Sequence, residues 1–66
     1  MELTINGELK RFDDGTTLSE IINRLGIAEK VMAAAVNMKV VKKDKWGSYR
    51  PKDGDKIELL HFVGGG

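Results

Sequence analysis

Residues 16–26, TTLSEIINRLG, carry a complete helix signature. Thr17 and Glu20 have the spacing of a capping box, in which each side chain accepts a hydrogen bond from the other residue's backbone N–H. Four apolar side chains recur at helical intervals and share one helix face: Leu18, Ile21, Ile22 and Leu25. Gly26 can adopt the left-handed conformation that ends a helix. A helix with a single apolar face requires a sheet to cover it.

Two short strands joined by a tight turn are predicted before this helix. Leu3 and Ile5 alternate with polar residues, which is the period of a half-buried strand. Asn6-Gly7 is typical of a two-residue hairpin turn, because both residues tolerate positive φ. Residues 8–12 then form the returning strand, and a second turn at residues 13–15 leads into the helix.

The segment after the helix, residues 28–41, supports two interpretations. The high helix propensity of alanine favours a second short helix over residues 28–35. We favour instead a strand over residues 32–36, because Asn37-Met38 resembles a turn and Val40-Val41 resembles a returning strand. The small alanine side chains would let this strand lie close beneath the helix.

A loop, a turn and a final strand are predicted in the last third of the chain. Residues 44–51, DKWGSYRP, have no regular period, and Trp46 is their expected anchor. Residues 51–55, PKDGD, form a turn, because proline presets φ and glycine accepts the strained corner. Residues 56–63, KIELLHFV, form the final strand. This order of elements predicts an α+β fold of the β-grasp (ubiquitin-like) type, with a mixed sheet of four to five strands packed on one main helix.

The composition limits the chain to one small domain. Its 66 residues contain no cysteine, which excludes disulfides, zinc fingers, iron–sulfur clusters and thiol nucleophiles. Eleven Lys and Arg balance ten Asp and Glu, and the net charge of +1 gives no general field for nucleic acid or an anionic membrane. The sequence shows neither a signal peptide nor a membrane-spanning run. We therefore expect a cytoplasmic protein whose partners include neither nucleic acid nor a membrane.

The final strand has two different faces, because successive side chains of a strand point to opposite sides. Ile57, Leu59 and His61 share one face, and Glu58, Leu60 and Phe62 share the other. One helix covers one face of the sheet, so Leu60 and Phe62 are expected on the open face. Apolar residues clustered beside a terminus are typical of a docking surface, and we predict a partner interface at Leu60, Phe62 and Val63. His61 is interpreted as structural or solvated, and no catalytic residue is expected.

Three glycines, Gly64–Gly66, follow the final strand. A disposable end is one interpretation, because chain termini are commonly disordered. The alternative is a β-grasp domain over residues 1–63 with a functional flexible tail over residues 64–66. Extended, residues 63–66 reach about 13–14 Å, and glycines without Cβ pass through a narrow channel. The carboxylate of Gly66 is a poor electrophile, so adenylation by ATP would prepare it for capture by a sulfur or amine nucleophile. The chain would then be a substrate.

An ordered set of short motifs runs through the chain: Asn6-Gly7, Thr17-Leu18, Leu25, Ala35-Val36-Asn37, Val40-Val41, Trp46, Asp53-Gly54-Asp55 and Gly65-Gly66. Together these motifs resemble the ThiS-type sulfur carrier proteins of thiamine biosynthesis, over essentially the whole chain. The chain departs from that pattern at Asn37-Met38, where many relatives have Asn-Gly, and at Lys42-Lys43, where Pro-Arg is frequent. Gly64 is an additional third glycine before the usual pair.

This resemblance implies that a ubiquitin-activating-like adenylyltransferase (ThiF-like) adenylates Gly66 with ATP and magnesium. A sulfur donor enzyme then supplies the sulfur that turns the adenylate into a thiocarboxylate. A thiazole synthase (ThiG-like) accepts this sulfur for the thiazole ring of thiamine. In this scheme Gly64, Gly65 and Gly66 enter the partner's active site, and the chain itself binds neither a cofactor nor a metal.

Three other functions are open from the sequence. A carrier like the small subunit of molybdopterin synthase has the same fold and tail but gives its sulfur to a pterin precursor. A ubiquitin-like protein modifier would form isopeptide bonds with target lysines. An RNA-binding module would use basic residues interleaved with aromatic residues, which are Lys42, Lys43, Lys45, Arg50, Lys52, Trp46 and Tyr49. The near-neutral net charge favours a solvated loop over an RNA-binding surface. A second use of these basic residues would be steering onto an acidic activating enzyme.

Overall fold

Residues 1–62, which the computed structural model describes, form five strands and one α-helix. The elements are β1 (Glu2–Ile5), β2 (Glu8–Arg11), α1 (Leu18–Arg24), β3 (Val31–Val36), β4 (Lys39–Val41), a 3-10 helix (Lys43–Lys45) and β5 (Lys56–His61). The strands make one sheet in the order β2-β1-β5-β3-β4. β1 and β5 run parallel, and the other neighbouring strands are antiparallel. This mixed sheet with one helix confirms the predicted β-grasp fold.

The core lies between α1 and one face of the sheet. The helix contributes three fully buried side chains, Leu18, Ile21 and Ile22. The strands contribute a matching set: Leu3, Ile5, Val31, Ala34, Val36, Val41, Ile57 and Leu59. Trp46 is 6% exposed, and its indole Nε1–H donates to the carbonyl oxygen of Val41 at 2.9 Å. Its predicted role as the anchor of an irregular loop is confirmed.

The helix begins at the predicted capping box. Glu20 N–H donates to Thr17 Oγ1 at 3.2 Å, and Thr17 N–H donates to Glu20 Oε1 at 3.0 Å. This bond from the Thr17 backbone, together with one from the Thr17 hydroxyl, lowers the pKa of Glu20 below its ordinary 4.5. The helix ends before Gly26, whose φ of +73° is the predicted left-handed stop. Within residues 1–62, no helix has the length and apolar character needed to cross a membrane.

Both predicted hairpins close through two consecutive residues at positive φ, which is the type I′ geometry that suits the twist of paired strands. The first has φ of 49° at Asn6 and 83° at Gly7, and the second has 51° at Asn37 and 70° at Met38. The turn prediction is therefore confirmed at both sites. In the second hairpin a methionine occupies the position that glycine usually fills.

β3 begins one residue earlier than predicted, because it contains a β-bulge. Val31 pairs with His61 and Ala33 pairs with Leu60, which leaves Met32 as the extra residue of the bulged strand. The extra residue changes which side chains face the core. Val31 is buried in the core although a simple two-residue period would place it on the opposite face from the later core residues of β3.

The alanine run forms part of β3, so the alternative of a second helix over residues 28–35 is wrong. Only one of the three alanines within β3 packs beneath the helix. Ala34 is buried in the core, whereas Ala33 and Ala35 are half-buried and face the other side of the sheet. Alternation along a strand gives this result directly.

Candidate functional site

β5 is the central strand of the sheet and precedes the glycine tail. It ends at His61 and not at residue 63 as predicted, because its partner β3 begins at Val31, opposite His61. Phe62 follows the strand, and its N–H donates to the carbonyl oxygen of Lys30 at 2.8 Å. The remaining predicted site residues lie outside the described part of the chain: Val63, Gly64, Gly65 and Gly66.

The two faces of β5 differ as predicted. Ile57 and Leu59 are buried beneath α1, whereas Leu60 and Phe62 are 61% and 63% exposed. His61 is half-buried at the end of the strand. Two large apolar side chains therefore lie on the open face of the sheet, next to the point where the tail begins. Their role as a partner interface, with Val63, stays a prediction.

A shallow apolar groove of about 410 Å³ lies beside Leu60 on the open face. Ala33 and Ala35 contribute to its lining, and the exposed side chains of Met38 and Val40 extend it towards β4. The register explains this arrangement, since Ala33 stands opposite Leu60 and Ala35 stands opposite Val40. The sequence prediction of the interface does not include Met38 or Val40. The alternation of Val40 with buried Val41 is the signal that could have identified Val40.

The side chain of Asn6 continues the pairing of β1 with β5 beyond the end of β1. Asn6 N–H donates to the carbonyl oxygen of Ile57 at 3.0 Å, and the positive φ of Asn6 then turns the chain into the hairpin. Leu59 N–H donates to Asn6 Oδ1 at 2.8 Å, and Asn6 Nδ2 donates to the Leu59 carbonyl oxygen at 3.1 Å. A side-chain amide offers the same kinds of donor and acceptor as a peptide group. The Asn6 side chain therefore makes the two hydrogen bonds to β5 that the next peptide group of β1 would make if the strand continued.

Asn37 has the equivalent role at the other end of β5. Asn37 N–H donates to the Lys56 carbonyl oxygen at 2.8 Å, and Lys56 N–H donates to Asn37 Oδ1 at 2.9 Å. Asn37 Nδ2 also donates to Asp55 Oδ1 at 2.9 Å. Asp55 Oδ2 in turn accepts a bond from Lys52 N–H at 2.8 Å, within the predicted turn. The two hairpin asparagines thus hold β5 at its start and near its end.

Residues 39–52, the basic segment, contain six cations and a single acid, Asp44. Its cations are Lys39, Lys42, Lys43, Lys45, Arg50 and Lys52, all exposed. The two ion pairs found within residues 1–62 join the N-terminal ammonium to Asp14 and Arg11 to Glu2, and neither involves the basic segment. These cations therefore form a region of positive potential on a nearly neutral molecule.

The two aromatic residues of the basic segment, Trp46 and Tyr49, pack in or against the hydrophobic core. Trp46 is buried, and Tyr49 is half-buried against the core. Their carbonyl oxygens accept hydrogen bonds from the first helical amides, Ser19 N–H at 3.0 Å and Leu18 N–H at 2.8 Å respectively. Trp46 is therefore not available to stack on a nucleic-acid base, which leaves the half-buried Tyr49 as the one aromatic side chain of the basic segment with exposed surface and weakens the argument for an RNA-binding module.

Almost the whole chain matches a known protein family. The model of the ThiS family matches residues 3–66, from β1 through the three terminal glycines. The chain belongs to the ThiS family. The resemblance stated from the short motifs is thereby confirmed. Several of these motif residues also hold β5 in the structure, namely Asn6, Asn37 and Asp55.

Individual ThiS-family proteins and a longer protein resemble the chain. The crystal structure of the thiamine biosynthesis protein ThiS from Geobacter metallireducens is 34% identical, with a TM-score of 0.76 and 100% of both chains covered. The sulfur carrier protein ThiS of Escherichia coli is 27% identical over 66 residues, which cover 100% of both chains. A thiazole synthase from Paramagnetospirillum magneticum is 35% identical over 66 residues, and the whole chain spans 20% of that protein's length.

The sequence prediction missed what the hairpin asparagines do. Asn6 is expected from its motif to permit positive φ and Asn37 is expected to lie in a turn, and both residues have positive φ. Their side-chain bonds to β5 join residues far apart in the chain, such as Asn6 and Leu59. Local turn rules carry no information on such a pairing, which depends on the order of strands in the sheet.

Proposed function

We propose that Gly66 of this chain carries sulfur as a C-terminal thiocarboxylate for thiazole formation in thiamine biosynthesis. The observation that carries the proposal is the match of the ThiS family to residues 3–66, which includes the three glycines. The fold supports it, because β5 is the central strand of the sheet and its last residue, His61, is separated from the first of those glycines by only two residues of sequence. The role of the relative in Escherichia coli, a sulfur carrier protein, supports the same function.

The chemistry requires activation of the Gly66 carboxylate by a partner. A carboxylate oxygen of Gly66 attacks the α-phosphate of ATP, in the active site of a ThiF-like adenylyltransferase with magnesium, and pyrophosphate leaves. Sulfur supplied by a donor enzyme at the sulfide level then attacks the acyl carbon and AMP leaves, so that a C–S bond replaces the bond to AMP and a thiocarboxylate remains. This chain contributes the carboxylate and the three glycines that carry it, so it is a substrate and not an enzyme. We place the reaction in the cytoplasm, where ATP is available.

A thiazole synthase of the ThiG type is the proposed sulfur acceptor. The likeness of this chain to one fifth of a thiazole synthase from Paramagnetospirillum magneticum supports that pairing. A pterin precursor, the acceptor of the molybdopterin synthase system, and a target lysine, the acceptor of a protein modifier, are the competing outcomes. An RNA-binding role loses its main support, because Trp46 is buried in the core.

The part of the open face around the end of β5 is the proposed docking surface for these partners. Leu60 and Phe62 are exposed beside the beginning of the tail, and Val63 continues the same stretch of sequence. The open-face groove extends this apolar surface to Met38 and Val40. With the body docked through these residues, Gly64, Gly65 and Gly66 are free to enter the partner's active site.

ATP-dependent charging in a purified system tests the proposal. The chain is incubated with a ThiF-like adenylyltransferase, ATP, magnesium and a sulfur donor, and the intact chain is then weighed. We expect release of pyrophosphate and exchange of one oxygen for sulfur, both abolished by Gly66→Val. Gly47→Ala is the matched control, because Gly47 is not at positive φ and an added Cβ meets nothing within 4 Å. Pyrophosphate release without any dependence on Gly66 would contradict the proposal.

A further inference from the structure

The end of β5 is held differently on its two sides. On the β3 side, backbone pairing continues to His61, and Phe62 N–H bonds the Lys30 carbonyl oxygen. On the β1 side, paired strand residues end at Ile57. Beyond that residue, the bonds described on the β1 side come from the side chain of Asn6 to Leu59.

We propose that Asn6 is a positioning residue, which sets the direction in which β5 delivers the C-terminal tail. This inference rests on the proposed function, because the direction matters only if the tail must reach a partner's active site. Asn6 Oδ1 and Nδ2 bond both polar backbone groups of Leu59. Leu59 is the last residue of β5 that is both buried and bonded on this side.

The physical effect is that the end of β5, which carries the tail, is ordered before a partner binds. Leu60 and Phe62, the proposed docking residues, and the glycine tail all follow Leu59 in the chain. Without the Asn6 amide, the strand end is fixed by β3 alone and samples more directions relative to the docked body. A partner then has to order the strand itself, and fewer encounters place the Gly66 carboxylate in reach of ATP.

Asn37 provides a matched comparison within the same strand. Asn6 and Asn37 both lie at positive φ, and each side chain makes two hydrogen bonds in the structure. Asn37 bonds at the start of β5, far from the tail along the strand. Glycine accepts positive φ at both sites, so Asn6→Gly and Asn37→Gly each remove a side-chain amide without disturbing the turn conformation.

The experiment compares Asn6→Gly, Asn37→Gly and the original chain in two assays. One is amide hydrogen exchange across residues 56–62, and the other is the kcat/KM of ATP-dependent charging. We expect both variants to be destabilised to a similar degree. Asn6→Gly should speed exchange from Leu59 to Phe62 and lower kcat/KM about tenfold or more, while Asn37→Gly leaves kcat/KM within about twofold of the original.

Equal losses of kcat/KM in the two variants, in proportion to stability, would overturn the positioning role. If Asn6→Gly does not fold, Asn6→Asp retains the acceptor for Leu59 N–H and loses the donor, and the same comparison is made with Asn37→Asp. Failure of the proposed function gives a separate result, since the original chain is then never charged. In that event, unchanged exchange from Leu59 to Phe62 in Asn6→Gly refutes the positioning role on its own.

Discussion

At the scale of single residues, Met38 has the backbone conformation least suited to its side chain. It lies at φ +70° in the second hairpin and its side chain is exposed. The left-handed conformation costs an L-residue about 1–2 kcal/mol, and glycine avoids this cost. Glycine also has more conformational freedom in the unfolded chain, which offsets about 0.5–1 kcal/mol of the resulting gain in stability. We expect Met38→Gly to raise the free energy of unfolding by roughly 0.5–1 kcal/mol, measured by urea denaturation.

Met32 is the control for this substitution. It is also an exposed methionine, but it lies in β3 and outside the set of described residues with positive φ. Glycine within a strand loses backbone entropy with no conformational gain. Met32→Gly should therefore lower the free energy of unfolding. A loss of stability in both variants would show that the conformation of Met38 carries no strain.

Glu20 gives a pH dependence at the same scale. Its pKa is lowered in the folded chain by the bond from the Thr17 backbone N–H. Because the folded pKa of Glu20 is below its unfolded pKa, the ionised Glu20 carboxylate stabilises the folded chain fully above pH 4.5. This stabilisation is lost as the pH falls through the folded pKa. Glu20→Gln keeps the capping geometry without this titration. Its free energy of unfolding should fall less steeply below pH 4.5 than that of the original chain, and parallel curves would contradict this account.

At the scale of elements, the two faces of β5 have different roles. The buried face contributes to stability, and the exposed face is the proposed binding surface. Leu60→Thr combined with Phe62→Thr changes exposed side chains and keeps strand propensity. We expect the free energy of unfolding to change by less than about 0.5 kcal/mol per site, while affinity for the activating enzyme falls about tenfold or more. Titration calorimetry with that enzyme measures the affinity.

Leu9 supplies the control for the docking surface. It is 65% exposed, close to the 61% of Leu60, and it lies on the edge strand β2. Leu9→Thr should leave affinity for the activating enzyme unchanged. Equal losses of affinity from Leu9→Thr and from the double variant would show that the binding surface is not centred on β5. Unfolding of the double variant would show that the faces of β5 are assigned incorrectly.

Most elements of this chain could be predicted because their signals are local. The capping box, the positive-φ hairpin pairs and the alternation of β5 each depend on residues close together in sequence. The start of β3 could not be predicted, since the bulge at Met32 follows from pairing with β5. The end of β5 was placed too late for a related reason, because its partner strand begins at Val31. Pairing between distant strands decided both boundaries.

At the scale of the whole molecule, charge is separated although the net charge is only +1. The six cations of the basic segment are exposed on one connected stretch of chain. A surface of this kind raises the association rate with an acidic partner and loses its effect as salt screens it. We expect Lys42→Glu with Lys45→Glu to slow association with the activating enzyme at low salt, measured by stopped-flow fluorescence, and to have little effect near 1 M salt.

Lys10→Glu with Arg24→Glu is the control for this prediction, because it changes the net charge by the same amount at two positions outside residues 39–52. Lys43 is left in place, since its ammonium lies 5.8 Å from the Trp46 ring centroid and its loss would disturb the core anchor. If both pairs of substitutions slow association equally, net charge rather than the basic segment controls the rate.

The candidate site itself is only partly a property of local sequence. Exposure of Leu60 and Phe62 could be predicted, because alternation and a single covering helix are sufficient. The open-face groove and the bonds from Asn6 to Leu59 could not, because they require the order of the five strands. A site assembled from the middle of a sheet becomes visible when that order is known.

The mass of the chain isolated from its own cells tests the central claim most directly. Intact-mass measurement followed by fragmentation from the C-terminal end locates any modification on a single residue. We predict a fraction of chains that end at Gly66 with one carboxylate oxygen replaced by sulfur, and loss of that fraction when the activating enzyme is absent. A mature chain that continues past Gly66, or a Gly66 carboxylate that never gains sulfur, would contradict the account.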